Sequence, residues 1–118
     1  MAEPWPTELR LAKDHRTLRV AFDDGNAYDL DAEYLRVESP SAEVKGHTPE
    51  QAQLVFGKRH VVISQLEPVG SYAVRIVFGD GHSTGLFTWA YLAELGHQRT
   101  AKWAGYLAKL ESAGRSRG

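Results

Sequence analysis

Histidine, serine and paired carboxylate are the side chains of this chain with types suited to chemistry. Five histidines, His15, His47, His60, His82 and His97, could serve as metal ligands or proton carriers. No two stand at the i, i+4 spacing that puts two imidazoles on one helix face, so they read first as surface or loop residues. Ser39, Ser41, Ser64, Ser71 and Ser83 lack the glycine-flanked strand-to-helix elbow that presents a nucleophilic serine. His82 and Ser83 are neighbours, but in extended backbone neighbours point to opposite faces. Asp23, Asp24, Asp29 and Asp31 crowd one region without the alternating oxygen spacing and closing glutamate of a calcium loop. They read as hairpin-turn and solvated edge charges. Gly79-Asp80-Gly81 is too short for a phosphate cradle, and no Lys-Ser or Lys-Thr follows it. These residue types therefore predict no catalytic site.

Composition narrows the classes further. The 118 residues suit one domain, read as 1–118 with an ordered core over about 8–112 and a flexible tail over 113–118. A net charge of −1 creates no field that would draw the chain to nucleic acid or an acidic membrane. Lys45, His47, Lys58, Arg59 and His60 make a mildly basic loop, read as solvated. The absence of cysteine removes disulfides, thiolate metal sites and thiol nucleophiles. No apolar run is long enough to span a bilayer, and Met1 to Pro6 lacks the basic start and apolar centre of a signal peptide. The expected setting is cytoplasmic.

The elements that position these side chains come in two copies. Leu18-Arg19-Val20-Ala21-Phe22-Asp23-Asp24-Gly25 returns as Val74-Arg75-Ile76-Val77-Phe78-Gly79-Asp80-Gly81. Each copy leads to a Tyr-Leu pair, Tyr34-Leu35 and Tyr91-Leu92. A strand, an Asp-Gly turn and a return strand make a hairpin unit. A short strand over 8–13 precedes the first unit, and a strand over 61–66 precedes the second. Residues 67–70 read as a turn, and Tyr72, Val74, Ile76 and Phe78 as one face of the next strand. Thr48-Pro49-Glu50-Gln51 suggests a short helix over 49–55. Thr88 caps a helix from Trp89 that Gly96 ends. A last helix over about 97–112 carries Trp103, Tyr106, Leu107 and Leu110 as one apolar stripe. Trp5 folds back as an anchor. The expected class is α+β: an antiparallel sheet built from two similar β-hairpin units, with C-terminal helices packed on it.

Several stretches together resemble the gamma-butyrobetaine hydroxylase-like N-terminal domain family, in its small stand-alone bacterial form. They include Phe22-Asp23-Asp24-Gly25, Ser39-Pro40-Ser41-Ala42-Glu43-Val44, Gly46-His47, Glu67-Pro68-Val69-Gly70-Ser71-Tyr72, Phe78-Gly79-Asp80-Gly81-His82 and Gly85-Leu86-Phe87-Thr88-Trp89. The resemblance covers about residues 8–112. It implies an accessory domain that, in the hydroxylases, precedes a separate iron- and 2-oxoglutarate-dependent catalytic domain, so no catalytic residue carries over. The family's domain can bind zinc through three cysteines and a histidine. Those positions fall here on Ser39, Ser41, Val44 and His82. Serine hydroxyls are poor zinc ligands and valine is none, so no metal is expected there.

The expected function is a non-enzymatic binding or accessory module that recognises another protein or itself, without nucleic acid, membrane or cofactor. The interaction surface is expected to join the 38–48 loop, His82 and Trp89, with His47 and Tyr91, since buried tyrosine and tryptophan need polar partners and some of these aromatics should lie at the rim. The alternative is a metal-binding or iron–sulfur-handling accessory protein, using zinc or iron held by residues such as His82, His47 and Asp80.

Overall fold

The computed structural model describes residues 4–41, 44 and 54–118. Its elements run in chain order as β1 (Pro6–Leu11), β2 (Thr17–Phe22), β3 (Ala27–Asp31), α1 (Ala32–Val37), β4 (Ile63–Val69), β5 (Ala73–Phe78), β6 (Leu86–Thr88), α2 (Trp89–His97) and α3 (Arg99–Ser112). The α+β class holds. The strands form two three-stranded antiparallel sheets rather than one, ordered β1-β2-β3 and β4-β5-β6.

Each sheet is a meander that runs straight into a helix, so the repeating unit is βββα. The copies agree in detail. A register irregularity falls between Pro6 and Glu8 in the first unit, and between Ile63 and Gln65 in the second. The Phe22 amide donates to the Asn26 carbonyl at 2.8 Å, as the Phe78 amide does to His82 at 2.9 Å. Asp24 and Asp80 each accept the backbone N–H two residues on, at 2.9 and 3.1 Å. Gly25 and Gly81 adopt φ of 90° and 94°, which glycine takes without a Cβ penalty.

Alternation explains the core. Leu18, Val20 and Phe22 point inward from β2, and Val74, Ile76 and Phe78 from β5. They share one cluster with Tyr34 and Leu35 of α1 and Leu92 and Leu95 of α2, so both sheets and both short helices close on the same interior. Val37, Tyr106 and Leu110 form a smaller cluster under α3. Of the expected α3 stripe, Tyr106 and Leu110 are buried and Trp103 is half-buried, while Leu107 is exposed.

Four local expectations change. Residues 67–69 continue β4, and the turn shifts to 70–72. Pro68 is tolerated because β4 is an edge strand, where a missing N–H breaks no ladder. Gly96 lies inside α2; a Cβ there would overlap the Tyr28 ring, so close packing rather than helix termination explains it. The helix expected over 49–55 falls mostly outside the described residues, and Leu54 and Val55 are not helical. Gly114, at φ 64°, follows the end of α3, and residues 115–118, expected as a flexible tail, pack back against the body. The Gly57 and Arg59 amides donate to the Ser116 and Arg117 carbonyls at 3.0 and 2.8 Å.

Candidate functional site

The chain leaves α1 at Val37 and turns at Ser39-Pro40 against the second hairpin. That hairpin has an extra residue. Ser83, Thr84 and Gly85 separate His82 from Leu86, where only Ala27 and Tyr28 separate Asn26 from Asp29 in the first unit. The extra length opens a seat for the loop. Ser39 Oγ lies 2.9 Å from His82 Nε2, and Ser41 Oγ lies 2.6 Å from Thr84 Oγ1. The Val44 amide donates to the Ser41 carbonyl at 3.0 Å, and the Val44 side chain is buried. Gly85 is required here, since a Cβ would overlap Ser39 Oγ.

Ser39 and His82 therefore do meet, with Ser41 beside them on Thr84 and Val44 tied to Ser41 through its backbone. Their donor set is two neutral hydroxyls, one imidazole and an alkyl group, which does not suit zinc. Among the described residues, no group of three or more His, Cys, Asp or Glu side chains is placed to hold a metal. The Ser39–His82 distance would suit a nucleophile and its base. Ser39, however, has no exposed surface, and Asp80 meets His82 through the backbone N–H at 3.1 Å instead of the ring.

Asp80 is the electrostatic centre of this end. Lys58 Nζ stands 2.6 Å from its carboxylate and Arg36 Nε 2.8 Å. Burial alone would push the carboxyl up, but Lys58, the His82 N–H and Arg36 together outweigh it and hold its pKa down at about 2. Such a carboxylate is committed to its two cations, which weighs against the ligand set of His82, His47 and Asp80. His47 lies outside the described residues.

The remaining described histidines are dispersed. His15 Nδ1 lies 2.7 Å from the Ile63 carbonyl and ties the first sheet to the start of β4. His97 meets the Tyr28 hydroxyl at 3.0 Å, and His60 borders a cleft beside Lys58 and Asp80.

Trp89 and Tyr91 have different roles. The Tyr91 hydroxyl donates to the Glu38 carbonyl at 2.6 Å, and burial pushes its pKa upward, so it is a strut between helices. Trp89 donates through Nε1 to the Ser71 carbonyl at 2.8 Å, which leaves its ring at the surface. Trp5 meets that ring edge-on at 6.5 Å. Trp5, Tyr72 and Trp89 line a cleft of about 320 Å³, with Trp5 52% and Tyr72 54% exposed. Sequence reasoning missed Tyr72 by assigning it to the inward face of β5. The repeat held the signal. The Ala32 amide donates to the Arg16 carbonyl and the Trp89 amide to Tyr72, so Tyr72 occupies the place of an exposed turn arginine.

A duplicated βββα domain with a closed polar knot between its halves defines a small α+β scaffold class. The family described as gamma-butyrobetaine hydroxylase-like, N-terminal, matches residues 9–93, and the chain belongs to that family. A protein solved in solution by NMR is 47% identical, with a TM-score of 0.84 over 98% of this chain and 91% of its own. A second NMR structure is 46% identical, with a TM-score of 0.82 over 97% of this chain and 85% of its own. A crystal structure from Acidithiobacillus ferrooxidans ATCC 23270, of a DUF971-family protein of unknown function, is 43% identical. Its TM-score is 0.64, over 77% of this chain and 91% of its own. No curated protein matches the chain.

Proposed function

We propose that this chain is a non-enzymatic binding module that docks a protein partner, a second copy of itself included, on the cleft of Trp5, Tyr72 and Trp89. That cleft carries the reading. Large aromatics supply much of the energy of protein contacts at little entropic cost, and here two of them stand half in water beside a third. The polar groups that would suggest catalysis are instead packed against one another around Ser39 and His82. A near-neutral charge gives no pull toward nucleic acid or an acidic membrane surface, which supports a protein as the partner. The module acts in the cytoplasm without a resident metal, Ser39, Ser41 and Val44 being held by hydrogen bonds and packing.

The test is partner capture from the native cell with the whole chain as bait, beside a folded Trp5→Ala/Tyr72→Ala variant and with sedimentation of both. Support is a protein, or a self-associated form, that the wild type retains and the variant loses. The same set on both baits, or nothing on either, ends the proposal.

A further inference from the structure

The docked segment after Gly114 lies in a groove that reads arginine by three separate contacts. Arg117 donates through Nε and Nη2 to the two oxygens of Glu33, at 2.9 and 2.7 Å, the parallel fork that a guanidinium makes and an ammonium cannot. Its guanidinium carbon lies 5.3 Å from the ring centroid of Trp103, and that of Arg115 lies 4.7 Å from Phe56. The Gly57 and Arg59 amides donate to the Ser116 and Arg117 carbonyls, which fixes the backbone beside the two guanidinium contacts.

Glu33 decides what can sit there. It lies on α1 with only 6% of its surface exposed. A carboxylate so buried resists losing its partner, so the strap leaves at low cost only when another guanidinium replaces it. Exchange is favoured over simple opening. The rest of the groove suits exchange, because Arg115, Ser116 and Gly118 are exposed and Phe56 is 46% exposed.

We propose that the groove between Glu33, Trp103 and residues 56–59 is a binding site for an extended, arginine-bearing segment of a partner protein, and that residues 115–118 fill it in the isolated chain. The strap acts as a tethered competitor, with an effective concentration in the millimolar range. The site stands apart from the aromatic cleft and does not depend on it.

The test uses two labelled peptides, Ala-Gly-Arg-Ser-Arg-Gly and the same peptide with lysine for both arginines. They are titrated into the wild-type chain and into Arg117→Ala, with folding checked by amide NMR. Arg117→Ala should bind the arginine peptide at least about tenfold more tightly than the wild type does. The lysine peptide should bind it at least about tenfold more weakly than the arginine peptide. Glu33→Gln in the Arg117→Ala background should erase that preference. A folded Arg117→Ala that binds both peptides alike, or no better than the wild type, overturns the proposal. Should Arg117→Ala be unfolded, the arginine peptide must restore the native spectrum, and failure to do so also overturns it. A concentration-dependent wild-type dimer that Arg117→Ala abolishes would make a second copy's strap the occupant and overturn the assignment to a partner protein.

Discussion

Tyr34 and Tyr91 hold the two units together by a reciprocal exchange. The Tyr34 hydroxyl of α1 donates to the Leu95 carbonyl in the last turn of α2 at 2.8 Å, and the Tyr91 hydroxyl of α2 donates to the Glu38 carbonyl at the end of α1 at 2.6 Å. Each helix thereby donates to a carbonyl at the C-terminal end of the other. The two bonds are the same contact made twice by the duplication.

Tyr34→Phe and Tyr91→Phe should each lower stability by about 1–2 kcal/mol, since each removes one buried hydroxyl donor. Denaturant unfolding checks this. Burial pushes both hydroxyls up, and it takes Tyr106, whose hydroxyl donates to the Val55 carbonyl, up to about 12 with Glu33 adding to the shift. A folded-state pKa above the unfolded value of roughly 10 gives stability that is complete below that pH and lost as pH rises beyond it. The wild type should weaken above pH 10, and less steeply in Tyr34→Phe. An equal slope in the two chains would count against this role.

Much of this was legible in the sequence because it is local. The Asp-Gly turns, the alternation of β2 and β5, and the Thr88 cap each rest on neighbouring residues, and Thr88 Oγ1 does accept the Tyr91 amide at 3.1 Å. Ser39 and His82 came together through the family resemblance rather than through any periodicity. The strap was misread because Arg117 finds Glu33 84 positions away, and a short Arg-Ser-Arg-Gly stretch looks like solvent-exposed chain by composition. The turn at 67–70 was misplaced because proline usually breaks a strand, and whether β4 lies at an edge depends on tertiary pairing.

Gly85→Ala should destabilise the chain by about 1–3 kcal/mol, because its Cβ would overlap the buried Ser39 Oγ in a seat that has little room to relax. Ser39→Ala withdraws the hydroxyl that meets His82 but also removes the overlap. The double variant should therefore be more stable than the sum of the single effects implies. Strict additivity in chemical denaturation would place the strain elsewhere.

Chelation should leave the fold untouched. Two serines, a valine and one histidine make a poor zinc donor set, so on the proposed reading treatment with EDTA should shift the thermal midpoint by no more than about 1 °C. Elemental analysis of protein purified without added metal is the companion measurement. Stoichiometric zinc together with a lower midpoint after chelation would contradict this account of the loop.

Acid should act through Asp80. Its folded pKa of about 2 lies below the unfolded value of roughly 3.9, so its contribution is complete above about pH 4 and lost as pH falls toward 2. The side chains of Asp80 and Lys58 keep 19% and 25% of their surface, so solvent screening reduces the contribution to about 1 kcal/mol. Asp80→Asn keeps an oxygen that can accept the His82 amide but gives up the charge that Arg36 and Lys58 share. It should cost about that amount at pH 7 and flatten the fall in stability between pH 4 and 2. Because Asp80 joins the second hairpin to α1 and to residue 58, the loss should also speed amide exchange at Gly81 and His82, whose N–H groups close the turn. A variant as stable as the wild type at pH 7, with unchanged exchange there, would show that the cations, and not the carboxylate between them, hold this end of the fold.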